Sequence, residues 1–199
     1  MRNVFKYSVF LIAFFVSAYL LFIVTKKINT NPERKIGEPM DSLNGVLVYY
    51  NGGVDEVEGK DTSNDNYYIG LKYQCVEFVN RYYYKYYHHK MPNSYGNAVD
   101  FYDAFVNDGG LNKKTNLIQF SNPSREKPKQ GDIIIFNKSP GNKYGHIAII
   151  SSVGTNEIEI IQQNCGAYGN TRAKFSLQVI GDTLYNIKSG KVIGRLRMP

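Results

Sequence analysis

The stretch from Gly70 to Lys90, GLKYQCVEFVNRYYYKYYHHK, places one of the chain's two cysteines where an aromatic-rich helix begins. From Cys75 the apolar positions Phe78, Val79, Tyr82, Tyr83 and Tyr86 fall three and four residues apart, which fits one buried face of a helix rather than strand alternation. Cys75 is therefore expected in the first turn. There a thiol is either a small buried hydrophobe or a nucleophile favoured by the positive end of the helix dipole.

Working outward, GVLVYYNG (Gly45 to Gly52) reads as a short strand ending at a turn, and VDEVEGKDTSNDN after it reads as a polar loop. GNAVDFYDAFVNDGG predicts a second helix, with Val99, Tyr102, Ala104, Phe105 and Val106 as its apolar face and Gly109 and Gly110 as its stop. Beyond it the period changes. QGDIIIFN (Gln130 to Asn137), GHIAIISSV and EIEIIQQN are compact β-branched runs, the last two joined by GTN as a hairpin turning near Thr155. AKFSLQVIG and KVIGRLRMP are further strand candidates. Helices first and antiparallel strands afterwards define an α+β domain.

The hairpin gives a register. If it turns at Thr155, Asn164 lies across from His146 and Gln162 across from Ala148, so His146, Gln162 and Asn164 converge on one side of the sheet. A register one residue different brings Gln163 forward instead. A cysteine at a helix start with a histidine on a strand beside side-chain carbonyls is what a thiol hydrolase needs. The imidazole takes the thiol proton and later protonates the leaving amine, and a neighbouring carbonyl fixes its tautomer. The backbone N–H of Cys75, with Gln74 beside it, is the candidate oxyanion donor.

Before this domain, Tyr7 to Thr25 is an uncharged apolar run flanked by Arg2, Lys6, Lys26 and Lys27. Its length suits a bilayer-spanning helix, and the small-residue stretch Val16 to Ala18 falls inside the run, a poor position for signal cleavage. Residues 1–27 are accordingly expected to form an N-terminal membrane anchor, 28–40 a polar linker, and 41–199 the soluble domain. A short basic tail before the span favours export of that domain. The cations after the span, Lys26, Lys27, Arg34 and Lys35, argue for the opposite side. The net charge of +7 divides unevenly: residues 1–40 hold six of the 24 Lys and Arg and two of the 17 Asp and Glu. The remaining 18 cations face 15 anions, a balance that gives little reason to expect nucleic-acid binding.

YQCVEFVNRYY, QGDIIIFN, YGHIAIIS and IIQQN, in this order and spacing, resemble the CHAP family of cysteine, histidine-dependent amidohydrolases and peptidases. Within it they are most similar to the amidase domain of glutathionylspermidine synthetase/amidase. The resemblance implies a papain-like, NlpC-type fold, no metal and no cofactor, with Cys75 as nucleophile and His146 as general base. The family's third catalytic position is commonly Glu in an EQN pattern. Here it is Gln162, and Asn164 matches the Asn that follows. Gln can orient an imidazole but cannot give an imidazolium a full opposing charge. The expected substrates are peptidoglycan peptides, if the domain is exported, or a glutathione–polyamine conjugate. A catalytically inactive binding module is the alternative of another class. Cys165, next to Asn164, raises the further expectation of a reversible lock with Cys75.

Overall fold

The computed structural model describes residues 2–181 and 183–199, with side chains from residue 6 onward. Met1, the first residue of the expected anchor, and the Arg2 side chain lie outside the described residues. The first element, α1 (Arg2–Thr25), contains a 20-residue apolar stretch, Lys6–Thr25, long enough to cross a membrane. None of that stretch is buried against the protein, as suits either an anchor or a signal sequence.

After α1 come four short strands: β1 (Pro39–Leu43), β2 (Val46–Tyr49), β3 (Lys60–Thr62) and β4 (Tyr68–Leu71), paired as two antiparallel ribbons. Next is α2 (Cys75–Tyr86). The rest of the domain is β: β5 (Gly110–Asn112), β6 (Leu117–Ser121), β7 (Ile133–Phe136), β8 (His146–Val153), β9 (Glu157–Ile161), β10 (Arg172–Ile180), β11 (Leu184–Ile187) and β12 (Val192–Arg197). These eight form one antiparallel sheet in the order β11-β10-β9-β8-β7-β12-β6-β5. The architecture is thus mixed helix and sheet.

The apolar runs of the central strands read as they do because both sheet faces are covered. Ile133, Ile135, Ile147, Ile149 and Ile161 pack under Phe78, Val79, Tyr82 and Tyr83 of α2. Ile134, Phe136, Ala148, Ile150, Ile158 and Ile160 point the other way and meet Leu177, Ile187 and Phe175. The buried tyrosines satisfy their hydroxyls: Tyr83 Oη donates to Gly131 O at 2.9 Å, and Tyr82 Oη accepts from Asn44 Nδ2 at 2.8 Å.

The helix expected over Gly96 to Gly110 is a correction. Only a single 3-10 turn forms, Ala98–Phe101, closed by a reciprocal cap between Asn97 and Asp100. Tyr102 is already extended, and Phe105, assigned above to an apolar face, is 98% exposed. Side chains compete with helical hydrogen bonding here. Asp103 Oδ1 accepts from Phe105 N at 3.1 Å, and Gln119 Nε2 donates to the carbonyls of Asp103 and Val106. The segment 28–40 does not hang free either: Asn31 is buried, Gly37 N donates to Tyr50 O, and Tyr50 N donates to Glu38 O.

Candidate active site

The Gly-Asp pair before β7 is structural. Gly131 has φ +89 and sits so close to Tyr87 that a Cβ would lie 2.0 Å from the tyrosine oxygen. Asp132, 1% exposed, accepts from Arg195 at 2.8 Å and from Arg197 at 2.7 Å, tying β7 to β12. Gly145 before His146 is equally constrained: at φ +74 a Cβ would meet Phe136 O at 2.6 Å. Both glycines serve to bring a strand into place, and β8 therefore opens on His146.

His146 Nε2 lies 2.9 Å from Gln162 Oε1. Gln162 Nε2 donates to Asn170 O at 3.0 Å, which fixes the amide so that its oxygen faces the ring. The imidazole therefore carries its proton on Nε2 and leaves Nδ1 as the basic nitrogen. Burial holds the His146 pKa below the usual 6.5, and the bond to Gln162 only partly opposes this. Both act only on the charged form, and the balance is toward the neutral ring.

Cys75 opens α2 directly after the N-cap Gln74, with its thiol buried. Burial pushes that thiol up to about 11, against the pull of three backbone N–H groups, those of Ile147, Val76 and Cys75 itself. The helix start alone therefore does not yield a resting thiolate. β9 leaves the ladder after the pair Ile149↔Ile161, and the backbone of Ile147, the residue following His146, is among the groups that oppose the upward shift of the Cys75 thiol. α2, which Cys75 opens, packs on β8, which His146 opens.

Three consecutive residues then diverge. Gln162 goes to His146. Gln163, fully buried, goes to the base of α2: its Nε2 donates to Gln74 O at 3.0 Å and Glu77 Oε2 at 2.7 Å, and its Oε1 accepts from Tyr49 N and Arg81. Asn164, at φ +62, turns away from His146; its Nδ2 donates to Gln74 Oε1 and to Val54 O, and its Oδ1 accepts from Asn51. Gln74 is engaged throughout, its N–H on Leu71 O and its Nε2 on Glu56 O at 2.6 Å, so neither donor faces a reacting carbonyl. The structure thus joins His146 with Gln162 and groups Asn164 with Gln74.

Sequence reading placed Gln163 only as the alternative beside His146 and missed the Glu77–Arg81 ion pair that it joins. The signal was the i, i+4 spacing of Glu77 and Arg81, pointing inward beside the apolar stripe. Burial raises the Glu77 pKa, and the Arg81 guanidinium opposes that rise. Cys165 is a free thiol, as is Cys75; burial raises it to about 11 and the neighbouring Cys75 pushes in the same direction.

A thiol at a helix start, beside a strand histidine whose tautomer is fixed by a side-chain carbonyl, is the arrangement of a nucleophilic amide hydrolase. The family model of the CHAP domain matches residues 64–164, half of the chain, and the chain belongs to the CHAP domain family of amidohydrolases and peptidases. It is 30% identical over 129 residues to trypanothione synthetase of Crithidia fasciculata, covering 64% of this chain and 20% of that protein. The chain thus spans about a fifth of that relative's length. Among solved structures it is similar to the crystal structure of Ly7917, at 16% identity, 71% of this chain, 56% of that one and a TM-score of 0.35.

Proposed function

We propose that the protein is a membrane-anchored amidohydrolase of papain-like fold in which Cys75 attacks the carbonyl carbon of an amide and His146 moves the proton. The observation that carries this reading is the His146 Nε2–Gln162 Oε1 hydrogen bond at the start of β8, the strand on which the helix opened by Cys75 packs. With a neutral imidazole and a protonated thiol, transfer of the Sγ proton to His146 Nδ1 accompanies attack, instead of preceding it as a resting ion pair. The tetrahedral oxyanion takes the Cys75 N–H at the helix start. Nδ1–H then protonates the departing amine, leaving a thioester on Cys75. A water that gives its proton to His146 hydrolyses the thioester, releasing the acid and restoring the thiol. Gln162 positions the ring, and Asn164 positions Gln74 ahead of Cys75.

Residues 7–25 serve as a single-pass anchor in this reading, and the domain from residue 41 lies outside the cytoplasm, where peptidoglycan peptides supply the amide. A second reading is supported by the 30% identity to trypanothione synthetase: hydrolysis of a glutathione–polyamine amide. The test offers peptidoglycan fragments and glutathionylspermidine in parallel to the full chain in detergent, with Cys75→Ala as control. Cys75-dependent amine release from one of them supports the amidase and selects the substrate class. Release from neither, by a folded protein, overturns it in favour of a binding module. A reporter fused after Pro199 reads the compartment.

A further inference from the structure

The chain leaving α1 is seated on the domain from its first residue. Lys26 O accepts from Asp55 N at 2.8 Å, and a Cβ on Gly53 would lie 2.4 Å from the same carbonyl. Lys26 Nζ donates to Gly141 O at 2.7 Å. Three further bonds continue the contact: Tyr50 Oη to Asn29 Oδ1, Tyr168 Oη to Thr30 O, and Asn31 Nδ2 to Ala167 O. A free linker over residues 28–40 would let the domain range about 45 Å from the end of the helix. The docked segment removes that freedom.

The places it touches adjoin residues of the candidate active site. Val54, next to Gly53, accepts from Gln74 and Asn164 on the Cys75 side. Gly141 belongs to the loop that runs into Gly145 and His146. The outward side of this region carries exposed Lys27, Lys138 and Lys143, with Tyr144 44% and Tyr168 72% exposed and Lys143 Nζ 5.1 Å from the centre of the Tyr144 ring. Opposing charge comes from Asp55 and from Glu56, whose carboxylate is turned onto Gly53 N–H. Lysine and tyrosine beside the end of an apolar helix are the side chains that settle at a membrane–water boundary.

We propose that the surface formed by Lys138–Tyr144 and Ala167–Tyr168 is membrane-contacting, rests on the lipid headgroups around α1 and holds the candidate active site close to the bilayer. This rests on the anchor reading of residues 7–25. The chain contains no Trp, so single reporters are unambiguous. Tyr144→Trp, Tyr168→Trp, Phe15→Trp within α1, and Val179→Trp, each in the full chain, are reconstituted in phosphatidylcholine vesicles containing a minority of phosphatidylglycerol, with or without brominated lipid. Val179 lies seven residues along β10 from Arg172, about 23 Å away at strand rise. The expected result is loss of emission with brominated lipid at positions 15, 144 and 168 and none at 179. Quenching at 15 alone overturns the surface while the anchor stands, and equal quenching at 144, 168 and 179 also overturns it. No quenching at 15 removes the anchor, and the proposal with it.

Discussion

Gln162 Oε1 and His146 Nε2 lie 2.9 Å apart, with the other end of the Gln162 amide held on Asn170 O. A neutral side chain thus does the orienting, so the imidazole gains a fixed tautomer without gaining an anion to stabilise its charged form.

The first consequence is a pH profile. In the proposed mechanism neutral His146 is the base, and its lowered pKa keeps it neutral further into acid. The acid limb of kcat/KM is expected below pH 6.5, with no thiol limb until the Cys75 value of about 11. Gln162→Glu places a carboxylate against the ring and moves the acid limb up. Gln162→Ala frees the ring and lowers kcat on the order of 10²-fold. Profiles of the three proteins between pH 4 and 9 check this, and an acid limb that stays put in Gln162→Glu would break the assignment.

Thiol chemistry separates the two cysteines. Burial raises both to about 11 and Cys165 is the more exposed of the two, so faster alkylation of Cys75 at neutral pH reports a base acting on it. Cys75 is expected to react faster with iodoacetamide, and His146→Ala is expected to abolish that advantage. Equal rates in the unaltered protein would favour a binding module.

Gln163 holds the start of α2 through three hydrogen bonds and ties it to β2 through a fourth, from Tyr49 N. Gln163→Ala strands Tyr49 N–H and the buried Glu77–Arg81 pair, at a cost of about 3 kcal/mol. Urea denaturation measures it; a loss under about 0.5 kcal/mol, the range of surface substitutions, would mean the network contributes little.

Asp132 is a structural carboxylate between Arg195 and Arg197. Asp132→Ala leaves the buried Arg195 guanidinium without its carboxylate and Arg197 with only the exposed Glu126, an expected loss of about 3–5 kcal/mol. Activity per folded molecule should be unchanged, which activity normalised to circular dichroism at low temperature tests.

How much of this was legible in the sequence differs by element. The three-and-four spacing after Cys75 was sufficient for α2 because its apolar stripe is continuous and buried. The register centred on Thr155 holds at Ile149↔Ile161 and Ile150↔Ile160, but a bulge between Ile150 and Ser152 shifts the pairs nearer the turn. The ladder also ends at Ile161, so Gln162 still reaches His146, whereas Asn164, in a left-handed conformation, cannot follow the strand pattern. The segment 96–110 misled because Asp100 and Asp103, and Gln119 from a distant strand, take up the backbone groups a helix needs. The docking of residues 26–31 uses main-chain groups at nearly every contact, and main-chain groups leave no mark in composition.

The most direct measurement is acid-quenched mass spectrometry of the full chain during turnover of its amide substrate. The account expects the acyl half of the substrate on the peptide containing Cys75, with both adduct and amine release lost in Cys75→Ala. Undiminished amine release by Cys75→Ala, with no adduct in either protein, would contradict it.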